Sequence, residues 1–233
     1  MHRIFYPLLF ITLLFSSCDT ISQLPIKIGN GVTEGEAGQG IKEALSQGLV
    51  NAVLHLNKED GFFKDALYKV LLPPEAKKIE NTLRDLGFKN MVDKAILQIN
   101  RAAEDAVGTA KPIFADAIKS MTISDAIGLI KNGDTSATHF FRTKTTEKLI
   151  ASFLPVIKAS LDKLDATKYY GDMVSKYNSL PLVKKLNPDL PGYVTDKATF
   201  ALFDLVAGEE RNIRQNVGAR TTDLLKKVFG AKW

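Results

Sequence analysis

The sequence predicts an all-α fold, a compact bundle of about eight to ten helices without a substantial sheet. In residues 41–56 the apolar side chains recur every three or four positions, the spacing that places them on one face of a helix. Proline, glycine and capping residues divide the rest of the chain into segments of helical length. No segment alternates apolar and polar residues for long enough to form a sheet.

The first 18 residues predict a secretory signal peptide that ends at a lipid attachment site. His2 and Arg3 precede the apolar segment Ile4–Phe15, which is followed by two serines and by Cys18, the single cysteine of the chain. A charged start, a short apolar run and small residues before a cleavage site are typical of secretory signals. The apolar run is shorter than the roughly 20 residues that a membrane-spanning helix needs.

Cys18 resembles the lipobox cysteine of bacterial lipoproteins, which becomes the lipidated first residue of the mature protein. Phe15 departs from that pattern, because a lipobox usually has leucine or a similar aliphatic residue at this position. The alternative is an ordinary cleaved signal peptide with an incidental cysteine. We expect a lipid-anchored protein of the bacterial cell envelope. The favoured location is the outer membrane, facing the periplasm, and the alternatives are the cell surface and the inner membrane.

These features divide the chain into three parts. Residues 1–17 are the predicted lipoprotein signal peptide, residues 18–40 the lipidated cysteine and a flexible tether, and residues 41–233 a single helical domain that could be subdivided near 165–193. The tether is predicted because residues 19–40 contain five glycines and a proline and show little periodicity.

The charge distribution argues against a nucleic-acid partner. The chain has 31 Lys and Arg against 26 Asp and Glu, a net charge of +5, which falls to +4 when the signal peptide and its Arg3 are removed. The longest basic runs are lysine pairs at 77–78, 184–185 and 226–227. Nucleic-acid-binding domains concentrate their basic residues in a patch or stripe. We therefore expect binding to the membrane through the lipid anchor and no nucleic-acid binding.

The helices beyond residue 56 are predicted from their breaks and caps. Pro74 suits the first turn of a helix that ends near Leu86, before Gly87. The apolar run 66–72 in front of it is too short to distinguish a strand from a helix. Further helices are predicted over Met91–Val107, over Ile113–Met121 after Pro112, from Thr122 or Ser124 to Gly133, and over Asp134–Arg142.

The last third of the chain contains longer helices and one loose region. Residues 145–164 have apolar residues at alternating four-and-three spacing and predict a core helix kinked at Pro155. Residues 168–193 contain two glycines and three prolines and predict a loop over the core or a connection between domains. Two more helices are predicted, from Thr195 or Asp196 to about Asn212 and, after Gly218, over Thr221–Phe229.

Seven segments of the chain resemble a known family. They are GIKEALSQG (Gly40–Gly48), DGFFKDALYKVLLP (Asp60–Pro73), LRDLGF (Leu83–Phe88), NRAAEDA (Asn100–Ala106), KPIFADAIKSMTISDAIGLIKNGDTSATHFFRTKT (Lys111–Thr145), YVTDKATFALFDLVAGEERNIRQN (Tyr193–Asn216) and ARTTDLLKKVFG (Ala219–Gly230). Together they are similar to the bacterial family called domain of unknown function 4197, whose members are often lipoproteins. The resemblance implies a helical envelope domain and identifies no activity and no catalytic residue.

Catalysis by the common routes has little support in the sequence. Apart from His2, which leaves with the signal peptide, the histidines are His55 and His139, and the domain has no cysteine nucleophile. It contains neither a zinc-binding His-Glu-x-x-His helix nor a Gly-x-Ser-x-Gly turn. His55 stands between apolar residues and is predicted to pack in the core or at its boundary. We expect no catalytic residue, no metal site and no cofactor.

Ten polar and two aromatic residues are candidates for lining one cleft. The polar residues are Asn100, Arg101, Glu104, His139, Arg142, Glu209, Glu210, Arg214, Arg220 and Asp223, and the aromatic lining is Phe140 and Phe141. Helical spacing predicts three ion pairs among them, Arg101–Glu104, Glu210–Arg214 and Arg220–Asp223. The alternative is that they form solvated helix faces or ion pairs between helices. If they converge, they would make an apolar pocket with a few polar groups, the usual form of a small-molecule site.

Three functions are consistent with these features. The first is a non-enzymatic protein-interaction or scaffold domain that binds an envelope protein, because the chain combines an anchor, a tether and no catalytic motif. The second is a helical carrier or sensor of a lipid-like ligand, suggested by the small side chains along residues 95–106 and by the paired aromatics. The third and least favoured is a hydrolase of an envelope polymer, since neighbouring carboxylates on a helix point about 100° apart.

Overall fold

The computed structural model describes residues 27–28, 31–163, 165–179, 181–182 and 184–231, and it confirms the all-α fold. Its helices are α1 (Glu34–Leu56), α2 (Lys77–Asp85), α3 (Lys89–Val107), α4 (Ala110–Ser120), α5 (Ile123–Lys131), α6 (Ser136–Asp162), α7 (Ala166–Asn178), α8 (Leu190–Gln215) and α9 (Asp223–Gly230). Two short strands, β1 (Lys27–Ile28) and β2 (Val32–Thr33), pair antiparallel before α1. The predicted signal peptide and Cys18 lie outside the described residues.

Helix α1 begins at Glu34 rather than at Ile41, so the predicted tether is wrong over residues 34–40. Thr33 is the N-cap: its hydroxyl oxygen accepts a hydrogen bond from the N–H of Glu36 at 3.2 Å. The carboxylate of Glu36 in turn accepts a bond from the N–H of Thr33 at 2.9 Å. This reciprocal capping box satisfies two backbone donors that a helix start leaves without partners.

The glycines at the start of α1 allow close packing against other helices. Gly38 and Gly40 are buried. A Cβ atom on Gly40 would lie only 2.6 Å from Cγ2 of Val228 on α9, closer than real Cβ atoms approach other atoms. The glycine-rich composition that predicts flexibility therefore serves here to bring two helices together.

Helix α6 is one continuous helix, whereas the sequence predicts two helices that meet near residues 143–144. The hydroxyls of Thr143 and Thr146 donate hydrogen bonds to carbonyls four residues earlier, at 3.0 and 2.6 Å. Such bonds to the carbonyl four residues earlier are how a threonine inside a helix satisfies its hydroxyl, and the polar segment between the two apolar halves is helical. Pro155 lies inside α6 without ending it.

Residues 168–193 include most of α7 and the start of α8, where the sequence predicts a loop or connection. Asp189 caps α8, since its Oδ1 accepts a hydrogen bond from a backbone N–H of the first turn at 2.8 Å. Pro191 occupies that first turn, where its missing N–H leaves no bond unmade. Tyr170 and Val174 of α7 are buried in the same apolar core as α6 and α8, and the described part of the chain shows no subdivision there.

Three phenylalanines from different helices meet in the core. The ring of Phe114 on α4 lies edge-on to Phe141 on α6 and to Phe203 on α8, with centroid distances of 6.0 and 6.2 Å. Such edge-to-face pairs are favoured by the quadrupoles of the rings. Phe141 is fully buried in this cluster, so its predicted place in the lining of a cleft is wrong.

Candidate functional site

Asn100 on α3 fastens the irregular segment 57–73 to the core. The side chain is completely buried, and its amide makes two hydrogen bonds of 2.8 Å with Val70, donating to the carbonyl and accepting from the N–H. The same Nδ2 donates to the carbonyl of Ile96 at 2.7 Å. Buried backbone groups need partners, and the amide supplies them where no strand or helix can. Asn100 is therefore a structural clamp.

Glu104 has a similar role one turn further along α3. Its Oε1 accepts hydrogen bonds from the N–H groups of Phe62 and Phe63 at 3.0 and 3.1 Å. Its Oε2 accepts a bond of 2.6 Å from Nη1 of Arg101, so the predicted ion pair is present. Arg101 also reaches Oδ1 of Asp60 at 2.7 Å. Glu104 is only 3% exposed, and its bonds hold the loop rather than face a cleft.

Glu210 on α8 binds the N-terminus of α6. Its Oε2 accepts hydrogen bonds from the N–H and the hydroxyl of Thr138, both at 2.8 Å. Its Oε1 accepts a bond from the N–H of Ala137 at 3.1 Å. Thr135, the N-cap residue of α6, makes no side-chain cap. A carboxylate from another helix therefore satisfies the free N–H groups and complements the positive end of the helix dipole.

Arg214 binds the C-terminus of α5 at the same junction. Its Nη2 donates to the carbonyl of Leu129 and to Oε1 of Glu210, both at 2.8 Å. The predicted Glu210–Arg214 pair is thus present, and both side chains are nearly buried. The carboxylate faces the start of one helix and the guanidinium faces the end of another, so each charge meets the helix end of opposite partial charge.

Arg220 and Asp223 do not form the predicted ion pair. Arg220 is buried and donates to the carbonyls of Ile213 and Arg214, at 3.1 and 2.8 Å, which closes the C-terminal end of α8. Asp223 is fully exposed and pairs with Lys226 at 3.1 Å. The i,i+3 rule fails here because residue 220 precedes α9 and is not on the same helix as residue 223.

The remaining candidates lie apart from these groups. His139 and Arg142 are exposed on α6, and the guanidinium of Arg142 lies 5.0 Å from the ring centroid of Phe203. Phe140 is half-buried beside Phe141. Glu209 accepts a bond from Asn51 Nδ2 at 3.2 Å at the surface.

The predicted polar cleft is therefore wrong. Among the described residues, no hydrogen bond or ion pair joins the Asn100–Glu104 group on α3 to the Glu210–Arg220 group. The side chains of each group make their hydrogen bonds to a neighbouring loop or helix end. The bonds fit the alternative interpretation, in which such residues form interhelix contacts.

One polar pair was not among the candidates. His55 Nε2 lies 3.0 Å from Oδ2 of Asp65, whose Oδ1 accepts hydrogen bonds from the N–H groups of Leu67 and Tyr68 at 2.8 and 3.1 Å. Burial raises the pKa of Asp65, but the bonds from His55 and the two backbone groups outweigh it, so the pKa lies below its ordinary value. The partners are ten positions apart, which is not the i,i+3 or i,i+4 spacing of a helical pair, so no sequence signal reveals them.

A surface groove of about 460 Å³ lies beside α3, and its lining is mostly apolar. It is lined by Leu72, Leu83, Met91, Val92, Lys94, Ala95, Gln98, Ile99, Ala166, Tyr170 and Leu190. The polar groups that border it in the described part of the chain are Lys94, Gln98 and the hydroxyl of Tyr170, which donates to the carbonyl of Asn187 at 3.3 Å. Ala95 belongs to the small-residue face that the sequence shows along α3.

A comparison with the models of known protein families assigns the chain to one family. The model of a family described as protein of unknown function DUF4197 matches residues 31–230. The chain belongs to the DUF4197 family. No curated protein and no solved structure matches it significantly. The match starts at Gly31, ahead of the resemblance noted from Gly40, and so includes the start of α1.

The DUF4197 chain also exposes large apolar side chains close to the groove. Leu86 and Phe88 lie in the turn between α2 and α3 and are 68% and 50% exposed, and Met91, which lines the groove, is 54% exposed.

None of the helices in the described part of the chain has an apolar stretch that would cross a membrane. Within the same residues, no three His, Cys, Asp or Glu side chains are grouped as metal ligands.

Proposed function

We propose that this DUF4197 protein is an envelope lipoprotein that binds a lipid-like amphiphile without catalysing a reaction. The observation behind the proposal is the apolar groove beside α3. Its volume of about 460 Å³ falls in the range of about 300–1,000 Å³ typical of ligand sites. An apolar pocket with a few polar groups at its border is the usual form of such a site.

The chemistry of the groove favours an acyl chain with an anionic head. The walls contributed by Leu72, Leu83 and Ile99 suit an apolar chain. Lys94 is exposed at the border and provides a positive charge for a carboxylate or a phosphate. Gln98 adds a neutral hydrogen-bonding group. The ligand class that fits this combination is a fatty acid or a single-chain phospholipid.

A binding role also agrees with the use of the ionisable residues. Glu104 and Glu210, the most buried carboxylates among the candidates, are engaged by backbone N–H groups and arginines. The protein-interaction role ranked first by the sequence would instead bury about 800 Å² of surface in a standard interface. The concave groove is a closer match to a small amphiphile.

The envelope location remains part of this proposal and depends on the N-terminal segment. A short apolar run that ends in two serines and Cys18 supports export and lipidation. Lipidation at Cys18 would hold the domain at a membrane, where a lipid-like ligand is abundant.

Binding can be tested with a fluorescent fatty acid and a variant that fills the groove. In the full chain carrying Cys18→Ala, cis-parinaric acid should bind saturably, and Ala95→Trp should abolish the saturable signal. Ala151→Trp is the matched control, because Ala151 is exposed on α6 and outside the groove. Lys94→Glu should weaken binding by about tenfold, the loss expected for one charged contact of roughly 1.4 kcal/mol. Equal binding by Ala95→Trp and Ala151→Trp, with both variants folded, would contradict the proposal.

A further inference from the structure

We propose that a second surface of this protein docks on an anionic lipid bilayer. The surface consists of residues 67–77, residues 182 and 184–189 and the N-terminal half of α8, and we call it the lysine face. It contains two shallow depressions of about 390 and 420 Å³, which share Pro74, Tyr193 and Lys197 and are therefore continuous. The inference goes beyond the proposed ligand site and does not depend on it.

Lysine dominates the charge of this face. Five lysines line the two depressions: Lys69, Lys77, Lys184, Lys185 and Lys197. All five are exposed. Among the described residues, Lys184 and Lys185 have no ionic partner, and Lys69 and Lys197 lie over the aromatic rings of neighbouring side chains.

The carboxylates on the same face offset only part of this charge. Glu80 is buried and already paired with Lys77 at 3.1 Å and with Arg84 at 2.9 Å. Asp189 is used as the N-cap of α8. Among the described residues, Glu75 is the remaining carboxylate that lines the depressions, and Asp196 is exposed on the same half of α8, so five lysines face two further acidic residues. The face therefore keeps an excess of positive charge, which an anionic surface would complement.

Large apolar side chains project from the same region. Leu67 is 82% exposed, Phe200 is 58% exposed, and Leu71 is half-exposed. Leu182, two residues before the lysine pair, is fully exposed and has a φ of +62°, in the left-handed region that leucine rarely adopts. Exposed apolar residues among lysines are the composition of surfaces that lie in a membrane interface, where the apolar groups enter the acyl boundary and the cations meet the headgroups.

The composition also distinguishes a bilayer from an acidic protein partner. Protein interfaces are enriched in arginine and aromatic residues and depleted in lysine. The described residues that line the two depressions include three aromatics, which occur at membrane interfaces as well. They also include five lysines and no arginine, and this lysine content is what sets the face apart from a protein interface. The apolar side chains come from two loops and a helix rather than from one packed patch. These features suit a fluid, anionic surface.

The lysine face and the apolar groove meet at one residue. Leu72 lines both the larger depression of the face and the groove beside α3. A domain seated on a bilayer through this face would hold the groove next to the lipid.

A fluorescent probe at Leu182 tests the orientation directly. In the full chain with Cys18→Ala, Leu182→Cys carries a nitrobenzoxadiazole probe, and phosphatidylcholine vesicles with and without phosphatidylglycerol are added. The probe should shift to the blue and at least double its fluorescence with the anionic vesicles alone, and about 1 M salt should reverse the change. Val217→Cys is the matched control, because Val217 is exposed beyond the far end of α8, about 30 Å from Lys197 at 1.5 Å per residue.

Two double variants distinguish binding through the lysine face from nonspecific electrostatic attraction between the whole protein and the vesicle. Lys184→Glu with Lys185→Glu should reduce binding to the anionic vesicles by about tenfold, because it reverses the charge beside Leu182. Lys111→Glu with Lys119→Glu makes the same change in net charge on exposed positions of α4 and should have little effect. Equal loss in both double variants, or equal response of the two probes, would overturn the proposal. Failure of the fatty-acid experiment would leave these results unchanged, so the two proposals are tested separately.

Discussion

Glu210 and Arg214 lie one turn apart on α8, and their ion pair joins the end of one helix to the start of another. The carboxylate accepts hydrogen bonds from the N–H groups of Ala137 and Thr138 at the start of α6, and the guanidinium donates to the carbonyl of Leu129 at the end of α5. The pair thus acts as an interhelix connector. This use of buried charge explains why the polar residues of the chain do not gather in a cleft.

Removing the charge of Glu210 should destabilise the fold. Glu210→Gln is expected to lower the free energy of unfolding by about 1–3 kcal/mol, because its charge-assisted bonds to Arg214 and to the helix start weaken. Urea denaturation measures the change. Glu209→Gln, at the half-exposed neighbouring position, should change stability by no more than about 0.5 kcal/mol. Equal effects of the two substitutions would contradict the connector role.

Truncating Asn100 should release the segment 57–73. Asn100→Ala leaves the N–H and carbonyl of Val70 without their buried partners, which costs about 1–3 kcal/mol for each unsatisfied group. Hydrogen exchange at the Val70 amide should accelerate more than exchange in the interior of α6. Asn90→Ala, at an exposed position in the first turn of α3, is the control. Unchanged protection at Val70 would show that the clamp is unimportant.

Two glycines of α1 should respond oppositely to alanine. Gly40→Ala places a Cβ about 2.6 Å from Val228 and should cost about 1–3 kcal/mol through overpacking. Gly35→Ala meets no atom within 4 Å and should stabilise α1 by about 0.5–1 kcal/mol, because alanine is the better helix former. Thermal unfolding of both variants measures the difference. Similar values would mean that α1 does not pack on α9 as described.

The hydrogen bonds that Glu36 accepts from Lys227 and within the capping box should give stability a specific pH dependence. The hydrogen bond from Lys227, followed by those from Thr33, lowers the pKa of Glu36 from 4.5 to about 2. A carboxylate with a lowered folded-state pKa contributes stability above its unfolded pKa, and this contribution is lost as the pH falls from about 4.5 to about 2. The Tm difference between the wild-type protein and Glu36→Gln should therefore shrink over that interval.

The control for this experiment lies on the same turn. The side chain of Glu34 makes no hydrogen bond or ion pair with another described residue. Glu34→Gln should leave the pH dependence of Tm close to that of the wild-type protein. A gap between the wild-type protein and Glu36→Gln that persists unchanged down to pH 2 would contradict the stabilising role of the charged Glu36 carboxylate and its bonds to Lys227 and Thr33.

Cys18→Ala should prevent lipid attachment. In cells fed a radiolabelled fatty acid, the wild-type protein should incorporate label and sediment with membranes, whereas the variant should carry no label. The lysine face is expected to leave the variant some affinity for anionic vesicles that salt removes. Label on the Cys18→Ala variant would show that the lipid is attached at another residue.

Some elements follow from the sequence because their signals are local. Pro74 at a helix start, Gly87 after a helix end and Thr122 as an N-cap all appear where predicted, and Gly87 has a φ of +90°. The Thr33–Glu36 capping box was also present in the sequence, but the surrounding glycines indicated a tether. Packing decided that case, since Gly40 contacts α9, some 190 residues later in the chain.

The sequence by itself determined the all-α class, most helix boundaries, the pairs Arg101–Glu104 and Glu210–Arg214, and the family. These depend on spacing within one helix or on neighbouring residues. The tertiary structure decided what the pairs bind, because the partners of Glu210 lie 72 and 73 positions away and those of Glu104 about 40. It also decided the apolar groove and the lysine face, since each combines side chains of separate elements that only folding brings together.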